Sequence, residues 1–190
     1  MIVVEGPPGS GRHELVTKLA RDLGVSRLPI GPQTREGTLT VLGYVVAGSA
    51  SVKVREGFFF DKVLNGHRPQ FSEGEVIYVR KILAALECPI IVCLPPWREV
   101  VKEANPRQAG EFQTGDLSDS QLEGLFLEYT NLILNSPGST VVSHELGSQP
   151  IHPSKLLWYD HTGEQEWTIP YNFILERCRD YITKRTERTW

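Results

Sequence analysis

Residues Gly6-Pro7-Pro8-Gly9-Ser10-Gly11, with Arg12 and His13 behind them, have the spacing best suited to chemistry. Glycines placed this way let the backbone curl until successive N–H groups converge on one anion. A helix starting just after them adds the positive end of its dipole. Arg12 sets a permanent charge beside that anion, as a planar fork rather than a compact ammonium. His13 offers an imidazole, a poor ligand for the hard Mg²⁺ ion, which takes oxygen. A plain glycine turn joining a strand to a helix is the alternative. Further along, Asp61 closes the apolar run Phe58-Phe59-Phe60 and is followed by Lys62. A carboxylate at a strand end can orient a hydroxyl, or simply cap a turn. Arg68 could hold a phosphate or stand solvated in a loop. Arg98, Lys102 and Arg107 suit either a cover over a charged group or an ordinary charged helix face. His144, His152 and His161 lack metal-ligand spacing, and no metal set is assigned.

These side chains need elements to hold them. Ile2-Val3-Val4 reads as a short buried strand. Leu15, Val16, Leu19 and Leu23 then line one face of a helix that Gly24 stops. Residues 25–37 read as loop, and Thr38–Val46 as either strand or helix. Phe58–Phe60 and Pro89–Leu94 are apolar on both faces, as buried strands are. Ser72-Glu73-Gly74-Glu75 and Ser118-Asp119-Ser120-Gln121 are capping boxes. The second opens a periodic helix with Leu122, Leu125, Phe126, Tyr129, Leu132 and Ile133 inward. Thr140–Val142 reads as a strand, and 171–184 as a last helix with Ile174, Leu175, Cys178, Tyr181 and Ile182 inward. Short apolar strands alternating with amphipathic helices predict an α/β fold with a mostly parallel central sheet. Ligands bind such sheets beyond the carboxyl ends of the strands. The glycine loop, Asp61-Lys62 and the stretch after Pro95 are expected to share that crevice. The segment 98–117, polar and glycine-containing toward its end, suits a lid or an idle surface loop.

Composition narrows the classes. The chain has 190 residues, 20 Lys and Arg against 23 Asp and Glu, and a formal charge of −3. That size fits one domain spanning 1–190. The charge provides no global basic field for a nucleic acid, so any such contact needs a local patch. The longest apolar run, Ile90–Leu94, is too short to span a bilayer, and no membrane role is expected. Cys88, Cys93 and Cys178 have no CxxC spacing. They argue against a disulfide framework or zinc site and fit a reducing cytoplasm.

Strand, Gly6-x-x-x-x-Gly11 and helix in succession form the P-loop arrangement, whose usual ending is GK[ST]. Here Arg12 and His13 stand in those last positions. Val4 to Gly11 resembles the opening of thymidylate-kinase-like P-loop kinases, especially those encoded by bacteriophages. Similarity continues in Phe60-Asp61-Lys62, where those kinases carry a strand ending in Asp-Arg. It extends through Gly66-His67-Arg68, Ser72–Leu83, Ile90–Leu94 with Pro95-Pro96, and Trp158-Tyr159-Asp160-His161-Thr162. Two departures beside the altered loop ending are Pro8, where an acidic residue usually stands near the acceptor sugar, and Lys62 for Arg.

The resemblance implies a three-layer P-loop NTPase fold of the nucleoside and nucleotide kinase kind. It implies ATP and Mg²⁺, and phosphoryl transfer to a deoxynucleotide or modified nucleoside, in the host cytoplasm if phage-encoded. By position, residues 6 to 13 would cradle the donor phosphates and Arg12 would take the lysine's place. Asp61 would orient the acceptor or activate its hydroxyl, Lys62 would neutralise acceptor charge, and Arg98, Lys102 and Arg107 would lie in or beside the lid and stabilise charge on the transferring group. Two other functions stay open: a kinase-fold protein that binds a nucleotide or protein partner without turnover, and a kinase acting on a hydroxymethylated base in DNA, with phosphate passing to a DNA-borne nucleoside. A homodimer is also kept open.

Overall fold

The computed structural model describes residues 1–28, 52–56, 88–107, 118–134, 156–166 and 168–187. Its centre is a sheet of parallel strands: β1 (Ile2–Glu5), β2 (Arg27–Leu28), β3 (Val54–Glu56), β4 (Ile90–Cys93) and β5 (Leu156–Tyr159). They lie in the order β2-β3-β1-β4-β5, all parallel. Around them are helices α1 (Arg12–Leu23), α2 (Trp97–Arg107), α3 (Asp119–Leu134) and α4 (Tyr171–Glu187). The fold is therefore mixed α/β with a parallel sheet.

Parallel strands bury both faces, which is why β1 and β4 are continuous apolar runs up to their last residues. Alternation sorts their side chains. Ile2, Val4, Val54, Ile91, Cys93 and Leu157 pack with Leu15, Val16, Leu19 and Ala20 of α1 and Ile174 and Cys178 of α4. Pairing Val3 with Arg55 and Val4 with Glu56 sets Arg55 on the opposite face, with Val3 and Glu5. Tyr171 ties α4 to α1: its hydroxyl donates to Asp22 at 2.7 Å, and Lys18 Nζ stands 3.7 Å above its ring.

The helix boundaries follow from local chemistry. Gly24 closes α1 in the left-handed conformation, its N–H returned to the carbonyls of the last turn. Ser118 and Gln121 form the expected reciprocal box: Ser118 N–H donates to Gln121 Oε1 at 2.9 Å, and Gln121 N–H to Ser118 Oγ at 3.3 Å. Leu122, Leu125 and Tyr129 then face inward. Val100, Ala104 and Leu122 form a second apolar cluster with Trp97 and Phe126, joining α2 to α3.

Two expectations need correction. Arg27–Leu28 is not loop but a two-residue edge strand beside β3. So short a strand carries no periodicity; pairing with β3 creates it. Leu156–Tyr159, apolar but half-buried toward its end, forms β5, which the expected elements did not include. Thr38–Val46, Phe58–Phe60, the helix expected after Ser72, and Thr140–Val142 lie outside the described residues. No helix among the described residues is long and apolar enough to cross a membrane.

Candidate functional site

The strand order runs outward from β1 in both directions, to β3 on one side and β4 on the other. A sheet wound this way opens a crevice at the carboxyl end of the strand where the winding changes side. That strand is β1, and residues 6–11 leave its end. Pro7 to Ser10 make a turn, with Ser10 N–H donating to the Pro7 carbonyl at 3.1 Å. Gly6, Gly9 and Gly11 all have positive φ. At Gly11 (φ 78°) the left-handed step turns the chain into α1, whose first hydrogen bond returns from Leu15 N–H to the Gly11 carbonyl at 3.1 Å. Its N-cap residue, a glycine, makes no side-chain capping bond. An anion is one partner suited to the N–H groups there. Ser10 is buried, and among the described residues its Oγ makes no hydrogen bond. That hydroxyl faces Gly6 across the curl: a Cβ on Gly6 would meet it at 2.5 Å.

Arg12 and His13 open α1 and both turn to Glu56, the last residue of β3. Arg12 Nε donates to Glu56 Oε1 at 2.9 Å, and His13 Nδ1–H donates to Glu56 Oε2 at 3.1 Å. Arg12 Nη1 also donates to the Gly6 carbonyl. The guanidinium thus bridges the first residue of the loop and the neighbouring strand, with the Glu56 side chain only 7% exposed. Glu56 is the site residue that sequence reasoning missed. Its signal in the sequence is slight, a carboxylate two residues after Val54 and just ahead of the more apolar run Phe58–Phe60 that ends in Asp61.

Helix α2 walls the loop on another side. A Cβ on Gly9 would run into the Val100 carbonyl and approach Ala104 N at 2.8 Å. Of the segment read as a lid, residues 98–107 are therefore helix, with its backbone against the loop. Arg98 is exposed and pairs with Glu164 and, more loosely, Glu99; Lys102 donates to Glu99 at 3.2 Å. Arg107 ends α2. Asp61, Lys62 and Arg68 lie outside the described residues.

Beyond β5 the chain turns a corner built on Asp160. Its carboxylate accepts from Thr162 N–H at 2.8 Å, Thr162 Oγ1, Glu164 N–H at 3.0 Å and Gln165 N–H at 3.1 Å. These bonds make Asp160 the hub of a structural corner. His161, exposed on that corner, lies beside Gly11: its Nδ1 would be 3.1 Å from a Cβ there. Opposite α1, Arg55 is buried beside Glu5. Burial pulls its guanidinium down to about 10, while the Glu5 charge works the other way.

An orphaned hydroxyl, a helix start with a glycine N-cap and a permanent cation suit a phosphate. They suit Mg²⁺ less well. Position 13 carries imidazole instead of a hydroxyl, and both oxygens of Glu56 are bound by nitrogen donors. Among the described residues no group of three or more His, Cys, Asp or Glu is placed to hold a metal. No family model and no curated protein sequence matches the chain.

Proposed function

We propose that this chain is a P-loop nucleotide-binding protein of kinase descent, whose residues 6 to 13 hold the polyphosphate of ATP or a related nucleotide. The observation that carries this reading is the glycine curl at the end of β1, with the buried Ser10 hydroxyl turned across it and Arg12 set at its rim. Successive backbone N–H groups, a hydroxyl and a guanidinium would then share one run of phosphate oxygens. The helix start, whose N-cap glycine brings no side-chain acceptor of its own, gains one when the anion arrives.

Phosphoryl transfer to a deoxynucleotide, a modified nucleoside or a hydroxymethylated base is the second reading. In its favour stands Glu56, a buried carboxylate at the strand end beside β1, the kind of group that can orient a hydroxyl. Both of its oxygens are, however, taken by Arg12 and His13. Binding is therefore what the geometry supports best.

Calorimetric titration of the full chain with ATP tests the first reading. Saturable binding that inorganic tripolyphosphate displaces is expected. No binding at about 1 mM ligand, equivalent to less than about 4 kcal/mol, rejects it. A panel of nucleosides, nucleotides and hydroxymethylated DNA with labelled ATP tests the second. Sustained transfer would replace binding alone with catalysis.

A further inference from the structure

Magnesium usually meets a phosphate loop through hard oxygen ligands, and a hydroxyl or a carboxylate is what a protein has to offer it. Here α1 begins with a guanidinium and an imidazole, and both are bound to the Glu56 carboxylate at the end of β3. Glu56 Oε1 takes Arg12 Nε at 2.9 Å and Oε2 takes His13 Nδ1 at 3.1 Å, with the residue 6% exposed. A divalent ion drawn to that buried carboxylate would compete with two nitrogen donors, one on each oxygen. The loop's own cation is meanwhile fixed in place, because Arg12 is also anchored on the Gly6 carbonyl. A guanidinium keeps its charge at every working pH and presents several N–H donors in one plane.

We infer that this loop binds polyphosphate as the free anion, without a divalent metal, and that Arg12, oriented by Glu56, does the neutralising a metal would otherwise do. The inference rests on the reading that the loop holds a polyphosphate. Glu56 acts in it as a positioning residue, through Arg12. Ser10 Oγ and the N–H groups at the start of α1 supply the remaining donors.

The test is calorimetry on the full chain with two probes, ATP and inorganic tripolyphosphate, each in EDTA and again with excess Mg²⁺. Both probes are expected to bind in EDTA at least as tightly as with the metal. Tightening of about tenfold or more by Mg²⁺, or binding that requires it, overturns the inference and leaves the nucleotide-binding reading standing. Tripolyphosphate bound in EDTA while ATP is refused does the reverse. Silence from both probes in both media removes both. Arg12→Gln, checked for a native circular dichroism spectrum, is expected to weaken binding in EDTA by about tenfold or more. Unchanged binding there also overturns the inference, and the native comparison stands whether or not the variant folds.

Discussion

Gly9 of the glycine loop lies directly against the Val100 carbonyl of α2, leaving no room for a side-chain carbon between them. The loop and the helix beyond β4 are thus in backbone contact, and the crevice has a fixed wall on that side. Gly9→Ala is expected to destabilise the fold by about 2–5 kcal/mol. A left-handed residue (φ 80°) and an overpacked contact with Ala104 N both contribute. Gly24→Ala is the comparison. Its φ is 65°, but nothing stands within 4 Å of the added carbon, and a loss of about 1 kcal/mol is expected. Urea denaturation of both variants measures the difference.

The Arg12–Glu56 pair is a buried one, with side chains 11% and 7% exposed. Removing either member leaves the other charge poorly solvated. Arg12→Gln and Glu56→Gln are each expected to cost about 3 kcal/mol, and the double variant much less than the sum. A double-mutant cycle by chemical denaturation reads the coupling. Strict additivity would show that the two side chains do not hold one another.

Asp160 presents a different balance, because nearly all its partners are neutral N–H and O–H groups of its own corner. Asp160→Ala strands several donors at once and is expected to cost about 2–4 kcal/mol. Asp160→Asn keeps one acceptor and should lose roughly half as much. Thermal melting of both variants checks the order.

Cys88, Cys93 and Cys178 are all buried. Burial pushes the Cys178 thiol up to about 12 and raises Cys93 as well. The native protein is therefore expected to be inert to a thiol-exchange reagent at pH 8, with all three thiols reacting in denaturant. The linkage sign is definite. A raised folded pKa gives stability that is whole below the unfolded value of 9.0 and is lost as pH climbs toward about 12 for Cys178. Denaturation midpoints measured from pH 8 to 11 should fall on the alkaline side, and Cys178→Ser should flatten part of that slope.

How much of this was legible depends on whether a signal was local. The first helix could be read to its last residue, because Leu15, Val16, Leu19 and Gly24 are a period and a stop that need no tertiary information. The Ser118–Gln121 box was legible for the same reason, both bonds being made within three residues. The strand Ile90–Cys93 announced itself by being apolar throughout. Arg27–Leu28 did not, since two residues have no pattern and only β3 makes them a strand. At the site, the loop was legible from its glycines. Glu56 was not, because its meaning is the register that brings it level with Val4 and within reach of α1. Arg98 had the right charge for a lid, but its nearest carboxylates, Glu164 and Glu99, engage it on the surface.

Arg55 sits between two residues that face α1, Val54 and Glu56, yet is itself buried on the other side with Glu5. A slip of β3 by a single position would drive that guanidinium into the hydrocarbon between sheet and helix, and would carry Glu56 away from Arg12 in the same stroke. Misalignment is thereby penalised twice, once by a stranded charge and once by a lost clasp. In a strand only three residues long, where few ladder bonds exist to enforce alignment, these paired charges proofread the weave on which the loop's geometry depends.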